Sequence, residues 1–244
     1  MPPLDLPALN ARFEDADPAH IVAWALDASE RPAVASSFQV ESTVVIHLAT
    51  RIRPDVPVLF LETGFHFRET LELKGRLTRL LGLTVVELRG ETTPQEQADV
   101  HGPRLYERDP ALCCELNKVR PLDRALAGYD LWMTGLRRSS ASTRARTRVV
   151  EPHRTGEGHE LLKVNPVAGW THARARAYLE EHGLPHHPLY DLGYASIGCA
   201  PCTRALFPGE DERAGRWAGV EKVECGIHLP PPATATAPPP ASPA

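Results

Sequence analysis

The chain has 244 residues, of which 42% are hydrophobic, and a formal net charge of -4. This length allows one large domain or two small ones with a sizeable core. The slightly acidic balance excludes a global attraction to nucleic acid or to anionic membranes, so any anion binding must be local. No apolar run approaches the roughly 20 residues that cross a bilayer, and the first residues lack the pattern of a signal peptide. We therefore expect a cytoplasmic protein with no membrane partner.

After a loose lead-in over residues 1–17, the hydrophobic pattern predicts strands that alternate with helices. The expected strands begin at Pro32 and cover residues 56–61, 84–88, 131–134 and 161–165. The expected helices cover residues 18–28, 41–49, 67–81, 111–126 and 170–182. This alternation indicates an α/β fold whose mostly parallel sheet is flanked by helices on both faces.

Three segments make up the rest of the predicted organisation. Residues 18–208 are expected to form the α/β domain, and residues 209–229 a mobile C-terminal segment that carries a catalytic cysteine. Residues 230–244 include seven prolines and five alanines. Because such a composition buries little apolar surface, we expect a disordered tail.

Polar residues follow three of the predicted strands. Ser36, Ser37 and Ser42 lie between the first strand and its helix, where backbone N–H groups suit a phosphate; the alternative is a helix N-cap. Residues 62–64 and 135–138 follow two further strands. Since the carboxyl ends of parallel strands meet at one edge of a sheet, we expect these residues to share one ligand-binding crevice.

All five cysteines lie in three places: the adjacent pair Cys113 and Cys114, the C-x-x-C of Cys199 and Cys202, and Cys225. An odd count in a reducing compartment favours ligands or catalysts over disulfides. Four thiolates suit a [4Fe-4S] cluster or a structural zinc ion. The fifth thiol is close to the end of the sequence, in a context that favours chemistry over packing.

Basic residues near these motifs are candidates for anion binding. Lys118 follows Cys114 by one helical turn, which places a cation beside the vicinal thiols. Arg137 and Arg138 directly follow a predicted strand, and one of them is expected to bind an anion. A solvated loop is the favoured interpretation for three further arginines, Arg144, Arg146 and Arg148.

Several of these stretches resemble the cluster-bearing assimilatory sulfonucleotide reductases, which have an adenine-nucleotide alpha-hydrolase-like, Rossmann-like fold. The stretches are residues 36–42, 61–70, 113–122, 163–204 and 224–228. Together the resemblance covers roughly residues 20 to 228. The chain departs from the family pattern at Gln39 and Val40, where Gly-Ala is common, and at Glu62, where Asp is usual.

The resemblance implies a cofactor and a reaction. Cys113, Cys114, Cys199 and Cys202 resemble the ligands of a [4Fe-4S] cluster, and Cys225 resembles the nucleophile. The implied substrate is adenosine 5'-phosphosulfate (APS), which would be reduced to sulfite and AMP through an S-sulfocysteine on Cys225. Thioredoxin or a glutaredoxin-like protein would then release the sulfite.

The expected substrate contacts follow from the same resemblance and from the cations near it. They are Ser36, Ser37, Phe38, Ser42, Glu62, Thr63, Gly64, Gly135, Arg138, Arg213 and Arg216. Lys118 is expected to stabilise charge on the sulfate and phosphate, and His228 or nearby cations to favour the thiolate of Cys225.

Alternative functions remain open at this stage. The first is reduction of the 3'-phosphorylated nucleotide, phosphoadenylyl sulfate (PAPS), or of both nucleotides. A tRNA-thiolation enzyme would also combine this fold with a cluster, but it would need an ATP-type Gly-Gly loop and a basic RNA surface. A non-catalytic module with a zinc clip would leave Cys225 without a role. A homo-oligomer is possible.

Overall fold

The computed structural model describes residues 4–228, which contain six β-strands. The strands are β1 (Pro32–Ala35), β2 (Pro57–Leu61), β3 (Thr84–Leu88), β4 (Leu131–Met133), β5 (Val150–Arg154) and β6 (Glu160–Val164). They form one sheet in the order β3-β2-β1-β4-β6-β5, in which β5 is antiparallel to β6 and every other neighbouring pair is parallel. The prediction of a mostly parallel sheet is confirmed.

Nine α-helices lie in the same part of the chain. They are α1 (Leu6–Phe13), α2 (Pro18–Asp27), α3 (Val40–Ile52), α4 (Arg68–Leu81), α5 (Pro94–His101), α6 (Leu105–Arg108), α7 (Pro110–Cys114), α8 (Arg120–Leu126) and α9 (His172–Glu181). A π-helical turn, Glu115–Val119, connects α7 to α8. Across residues 4–228, no helix combines the length and apolar character needed to cross a membrane.

Successive side chains of the strands face two separate hydrophobic cores, as the period of two in a strand requires. On one face, Val34 and Phe60 pack with α2, α3, α4 and α9. On the other face, Ala33, Leu59 and Trp132 pack with α8. Each of these five side chains is at most 1% exposed, so both faces of the sheet are covered.

The N-terminal lead-in is not loose throughout, because α1 forms within it. Asp5 caps α1 by accepting a hydrogen bond from the Ala8 amide, and buried Phe13 packs on Trp24 with 5.1 Å between ring centroids. Asn10 donates to the carbonyl oxygen of Val150 and accepts from its amide, at 2.7 and 3.0 Å. This helix therefore covers the start of the edge strand β5, a place where unpaired backbone would otherwise be exposed.

Two further differences from the sequence prediction have clear causes. Strand β5 was not predicted, because Pro152 and its charged neighbours weaken the strand pattern; an edge strand tolerates such residues. The helix predicted over residues 111–126 is divided by the π-helical turn into α7 and α8. The tail predicted over residues 230–244 lies outside the described residues, and the mobility of residues 209–229 stays a prediction.

His187 connects the segment after α9 to helix α4. Its side chain is fully buried, with Nε2 2.9 Å from Thr70 Oγ1, and the Leu189 amide donates to Nδ1 at 3.3 Å. Because Nδ1 accepts a hydrogen bond, the ring is neutral and Nε2 carries the proton. Burial lowers the pKa of His187 to about 4.

Acidification should therefore destabilise the fold through His187. The folded pKa lies below the unfolded value of about 6.5, so the stabilisation is complete above that pH and is lost as pH falls towards the folded pKa. We expect His187 to account for a loss of roughly 2 kcal/mol in the free energy of unfolding between pH 7 and pH 5. Urea unfolding of wild type and His187→Asn at both pH values measures it. The variant should lose less stability, and equal losses would contradict the prediction.

Candidate active site

A cleft opens at the carboxyl ends of β1, β2 and β4, the edge at which parallel sheets bind ligands. Ser36, Thr63 and Gly135, which directly follow or lie near those strand ends, form one side of it. The second half of the chain supplies the other side, which includes Ser196, Cys199, Arg213, Arg216, Cys225 and His228. The predicted crevice is thus present, and the C-terminal segment closes part of it.

The turn between β1 and α3 uses most of its hydroxyl groups to hold its own shape. Ser36 Oγ accepts from the Phe38 amide at 2.9 Å and lies 3.0 Å from Ser42 Oγ, which donates to the Gln39 carbonyl. Phe38 has a positive φ of 56°, and its side chain is buried against Phe60 rather than in the cleft. Of the three serines in this turn, only Ser37 has an exposed side chain.

Gln39 connects this turn to the second half of the chain. Its Oε1 accepts hydrogen bonds from the Ile197 amide at 3.2 Å and from the Tyr190 hydroxyl at 3.3 Å. Its Nε2 donates to Ser37 Oγ at 3.0 Å. The departure from the family pattern at this position therefore adds a side-chain bridge beside the cleft.

Gly135 allows the end of β4 to approach the first turn of α3. A Cβ atom at this position would lie 2.6 Å from the Ser42 amide nitrogen and 2.9 Å from its Cα. Real Cβ atoms do not come that close to backbone, so any side chain would move α3 and the serine turn.

The two arginines after β4 have different surroundings from those predicted. Arg138 lies away from the cleft, where it forms two hydrogen bonds with Glu14 at 2.6 and 2.9 Å. Arg137 lines the cleft, but it is 3% exposed and pairs with Glu41 at 2.6 Å and with Glu212 at 2.5 Å. Arg138, which was expected to contact the substrate, therefore does not line the cleft, and the charge of Arg137 is already balanced by two carboxylates.

The four paired cysteines are free thiols that influence one another's ionisation. Burial, and then the neighbouring thiolates, raise the pKa of Cys113 to about 12 and that of Cys202 to about 11. Burial alone would raise the pKa of Cys199. Lys118 and the Thr63 hydroxyl, 3.4 Å from the Cys199 sulfur, lower this pKa by more, so the net pKa lies below its ordinary value. The thiols of α7 and of the C-x-x-C loop therefore influence one another electrostatically.

Lys118 is the cation that interacts electrostatically with Cys114, Cys199 and Cys225. Burial lowers its pKa, but the charges of Cys199, Cys225 and Cys114 outweigh burial and the net shift is upward. Within residues 4–228, neither Lys118 nor Arg216 forms an ion pair with a carboxylate, whereas Arg137, Arg144 and Arg213 do. Arg216 Nε is buried without a hydrogen-bond partner.

The four paired cysteines are the predicted ligands of a metal ion or cluster. Across residues 4–228, no three His, Cys, Asp or Glu side chains converge closely enough to hold one metal ion. A tetrahedral zinc ion binds all four ligands itself, whereas each thiolate of a four-iron cluster binds a different iron and the sulfurs remain further apart. The identity of a metal or cluster held by the four paired cysteines stays a prediction.

The residue before Cys225 anchors the C-terminal segment. Glu224 forms two hydrogen bonds of 2.7 Å with Arg144, one of 3.0 Å with Thr143 and one of 3.3 Å with Arg213. Arg144 is therefore not in a solvated loop, as its sequence context had suggested. Burial and the neighbouring Arg144 lower the pKa of Arg213 to about 10.

His228 also lines the cleft. Its ring stacks on Trp132, with 5.9 Å between centroids and an interplanar angle of 14°. Burial lowers the pKa of His228 well below its ordinary value, and Lys163, Arg144 and Arg213 lower it further. The ring is therefore neutral near pH 7, and Lys118 is a better source of positive charge for Cys225.

The sequence of the chain is similar to those of known sulfonucleotide reductases. The phosphoadenosine phosphosulfate reductase domain matches residues 31–205. The chain belongs to this reductase family. A relative from Streptomyces coelicolor named adenosine 5'-phosphosulfate reductase is 46% identical over 217 residues, which cover 88% of this chain and 90% of the relative. A relative from Halalkalibacterium halodurans with the same name is 44% identical over 223 residues, which cover 90% of this chain and 95% of the relative.

A solved structure extends the comparison to the fold. The phosphoadenylyl-sulfate reductase from Candida auris, solved as a phosphate complex, superposes with a TM-score of 0.70 at 28% identity. The match covers 82% of this chain and 96% of that one. The family resemblance inferred from the sequence motifs is thereby confirmed.

Most of the residues expected at the site of this reductase line the cleft. They are Ser36, Ser37, Ser42, Thr63, Lys118, Gly135, Cys199, Arg213, Arg216, Cys225 and His228. Four expected substrate contacts do not line it, namely Phe38, Glu62, Gly64 and Arg138. Instead, Glu62 accepts a hydrogen bond from the Gly64 amide at 3.0 Å and shapes the loop after β2.

Sequence reasoning missed three other cleft residues, Glu41, Arg144 and Glu212, whose partners lie far away along the chain. It named Arg137 only as one of two candidates for an anion contact, and Gln39 only as a departure from the family pattern. Glu41, for example, pairs with Arg137 and with His172 Nδ1 at 2.7 Å, across separations of 96 and 131 residues. The one local signal was the density of arginine and hydroxyl residues after β4, which did not show which arginine would enter the cleft.

Replacing Gly135 tests the close contact between β4 and α3. Gly135→Ala should destabilise the protein by about 1–3 kcal/mol, because the added methyl group overlaps backbone that cannot move alone. Gly169→Ala is the control, since its nearest neighbouring atom would be 3.9 Å away. Urea unfolding of both variants measures the difference. Equal stability of the two variants would show that α3 can shift without cost.

Proposed function

We propose that the protein reduces APS to sulfite and AMP in assimilatory sulfate reduction, with thioredoxin or a glutaredoxin-like protein as the reductant. The observation that carries this proposal is that Cys225 shares its cleft with Lys118 and Arg216, two cations without a carboxylate partner within residues 4–228. Such cations suit a substrate that is itself an anion. The same cleft contains the thiol of Cys225, which is not in a disulfide.

The choice of nucleotide rests on the relatives. Those from Streptomyces coelicolor, Halalkalibacterium halodurans and Rhodococcus opacus, at 41–46% identity, are named adenosine 5'-phosphosulfate reductases. The protein named for the 3'-phosphorylated nucleotide, from Candida auris, is 28% identical. This difference favours APS over PAPS, and family membership favours a reductase over a tRNA-thiolation enzyme or a zinc module.

The first step is a displacement at sulfur. The Cys225 thiolate attacks the sulfur atom of APS, an S–S bond forms, and the S–O bond to the phosphate breaks, so that AMP leaves with the bonding electron pair. Thiolate and phosphosulfate are both anions and repel each other. Lys118 and Arg216 offset this repulsion and stabilise the charge that develops on the leaving oxygen.

The second step releases sulfite. A thiolate of the reductant attacks Cys225 Sγ, sulfite leaves, and a mixed disulfide forms. The second thiol of the reductant then resolves this disulfide, so the dithiol supplies the two electrons that convert sulfate-level sulfur to sulfite. This dependence on reduced thiols agrees with the cytoplasmic location expected from the sequence.

We further propose that Cys113, Cys114, Cys199 and Cys202 hold a [4Fe-4S] cluster. The support is the chemistry of the set: two segments supply four free thiols, whose charges influence one another's ionisation, and four thiolates suit such a cluster. When bound, the cluster would add negative charge beside Lys118 and join α7 to the C-x-x-C loop. Neither displacement needs an electron carrier, so its contribution would be structural and electrostatic.

Replacing the nucleophile tests the reaction. Cys225→Ser should form no S-sulfonate adduct and no sulfite, because a serine hydroxyl is not ionised at neutral pH. Mass spectrometry after incubation with APS or with PAPS, without reductant, should map an adduct of the wild type to the Cys225 peptide, with APS reacting faster. An adduct on another side chain would contradict the mechanism, and faster reaction with PAPS would reverse the substrate assignment.

Replacing Lys118 separates its role from that of the cluster. Lys118→Ala should slow S-sulfonate formation about a hundredfold, the effect of removing one charge-stabilising group. Lys118→Arg, which keeps the charge, should retain more of the rate. Iron and acid-labile sulfide, measured after anaerobic purification, should be present in the wild type and unchanged in both variants. A wild type without iron would refute the cluster, and loss of iron in Lys118→Ala would refute the division of roles.

A further inference from the structure

The carboxylate of Glu224 is the point at which the C-terminal segment is attached to the rest of the domain. Its side chain is 7% exposed and accepts hydrogen bonds from Thr143, from two nitrogens of Arg144 and from Arg213. Thr143 and Arg144 lie in the loop after β4, some 80 residues earlier in the chain. We call this set of four residues the Glu224 cluster.

A second attachment follows Cys225 directly. Ile227 packs on the core that Leu59, Leu122 and Trp132 form, and His228 stacks on the Trp132 ring. Between the two attachments, Gly226 has a φ of 98°, and a Cβ atom there would lie 3.0 Å from Val119 Cγ2. The backbone of Cys225 is therefore fixed on both sides, by charge before it and by apolar contact after it.

The two attachments of the segment differ in the kind of interaction that holds them. The second attachment consists of the apolar packing of Ile227 and the ring stacking of His228, whereas Glu224 forms four hydrogen bonds, three of them to guanidinium groups. Charge-assisted bonds are strong and directional, and if they break, Arg144 and Arg213 remain partly buried without their carboxylate. The charged attachment thus favours one position of the segment over others.

We propose that the Glu224 cluster is a positioning device that holds the C-terminal segment closed and directs the Cys225 thiol into the cleft. This inference rests on the proposed function, in which Cys225 must first face APS and then face a reductant protein. Opening the cluster moves the thiol out of the cleft towards solvent. Glu224 touches no reacting atom in this scheme and acts through the position of its neighbour.

The reactivity of Cys225 in the absence of nucleotide tests the proposal. Neutral iodoacetamide labels the exposed thiolate, and peptide mapping reports Cys225 alone. Glu224→Gln, which keeps the shape but loses the charge, should increase the labelling rate about tenfold, and Arg144→Ala should do the same, since each removes charge-assisted hydrogen bonds. The matched control is Glu221→Gln, an exposed acid of the same segment, which should label at the wild-type rate.

Three details make the result decisive. Labelling rates are compared on the high-pH plateau of each variant, so that differences in thiolate fraction do not enter. The double variant Arg144→Ala/Glu224→Gln should label no faster than either single variant, because both remove the same interaction. If Glu224→Gln does not fold, Thr143→Val removes a single hydrogen bond and should give a smaller increase in the same direction. Equal labelling of the wild type and all variants would overturn the proposal.

A second readout separates this inference from the proposed function. In single turnovers with APS, Glu224→Gln should form the S-sulfonate about tenfold more slowly, while its Kd for AMP stays within about twofold of the wild type. A purely structural defect would weaken AMP binding as well. If the wild type forms no S-sulfonate, the proposed function fails while the labelling result still stands; if the wild type reacts but labelling is equal, only the role of Glu224 is refuted.

Discussion

The site depends on one ammonium group placed among thiols. Lys118 lies close enough to Cys114, Cys199 and Cys225 for their charges to raise its pKa despite burial. Lys118 therefore interacts electrostatically both with the paired cysteines and with Cys225, which are far apart in the sequence. The π-helical turn Glu115–Val119 carries this lysine, and such turns are frequent at functional sites because they rotate the side chains that follow. Without that cation, the Cys225 thiolate of the proposed reaction and an anionic substrate would repel each other in the cleft.

The cations of the cleft fall into two groups: those that pair with carboxylates of the protein and those that do not. Arg137 is buried between Glu41 and Glu212, and its ion pairs connect β4 to α3 and to the segment that contains Glu212. These pairs fix structure, because breaking one would leave an uncompensated buried charge. Lys118 and Arg216 form no such pairs within the described residues, so their charge remains available to a ligand. Whether a cation is paired depends on the positions of the carboxylates in the folded chain, and sequence motifs do not reveal these positions.

The sequence predicted most of the sheet because its strands are short apolar runs between helical patterns, and it predicted the thiol sites because cysteine spacing is distinctive. It failed where the deciding partner is distant. Arg138 and Arg137 are adjacent, yet only the positions of Glu14 and Glu41 determine which one enters the cleft. The pairing of Arg144 with Glu224, across 80 residues, left no local pattern. Strand β5 has a sequence that an edge position tolerates and a central position would not, so local propensity could not identify it.

The side chain of Asn10 has a consequence for how copies of this protein associate. By occupying both main-chain groups of Val150, it blocks the first rung at which another strand would join β5. A second chain cannot extend the sheet from that point without first displacing α1 and uncovering Phe13. Self-assembly by strand addition is therefore disfavoured on this side, and a dimer would have to use helices, loops or the opposite border of the sheet.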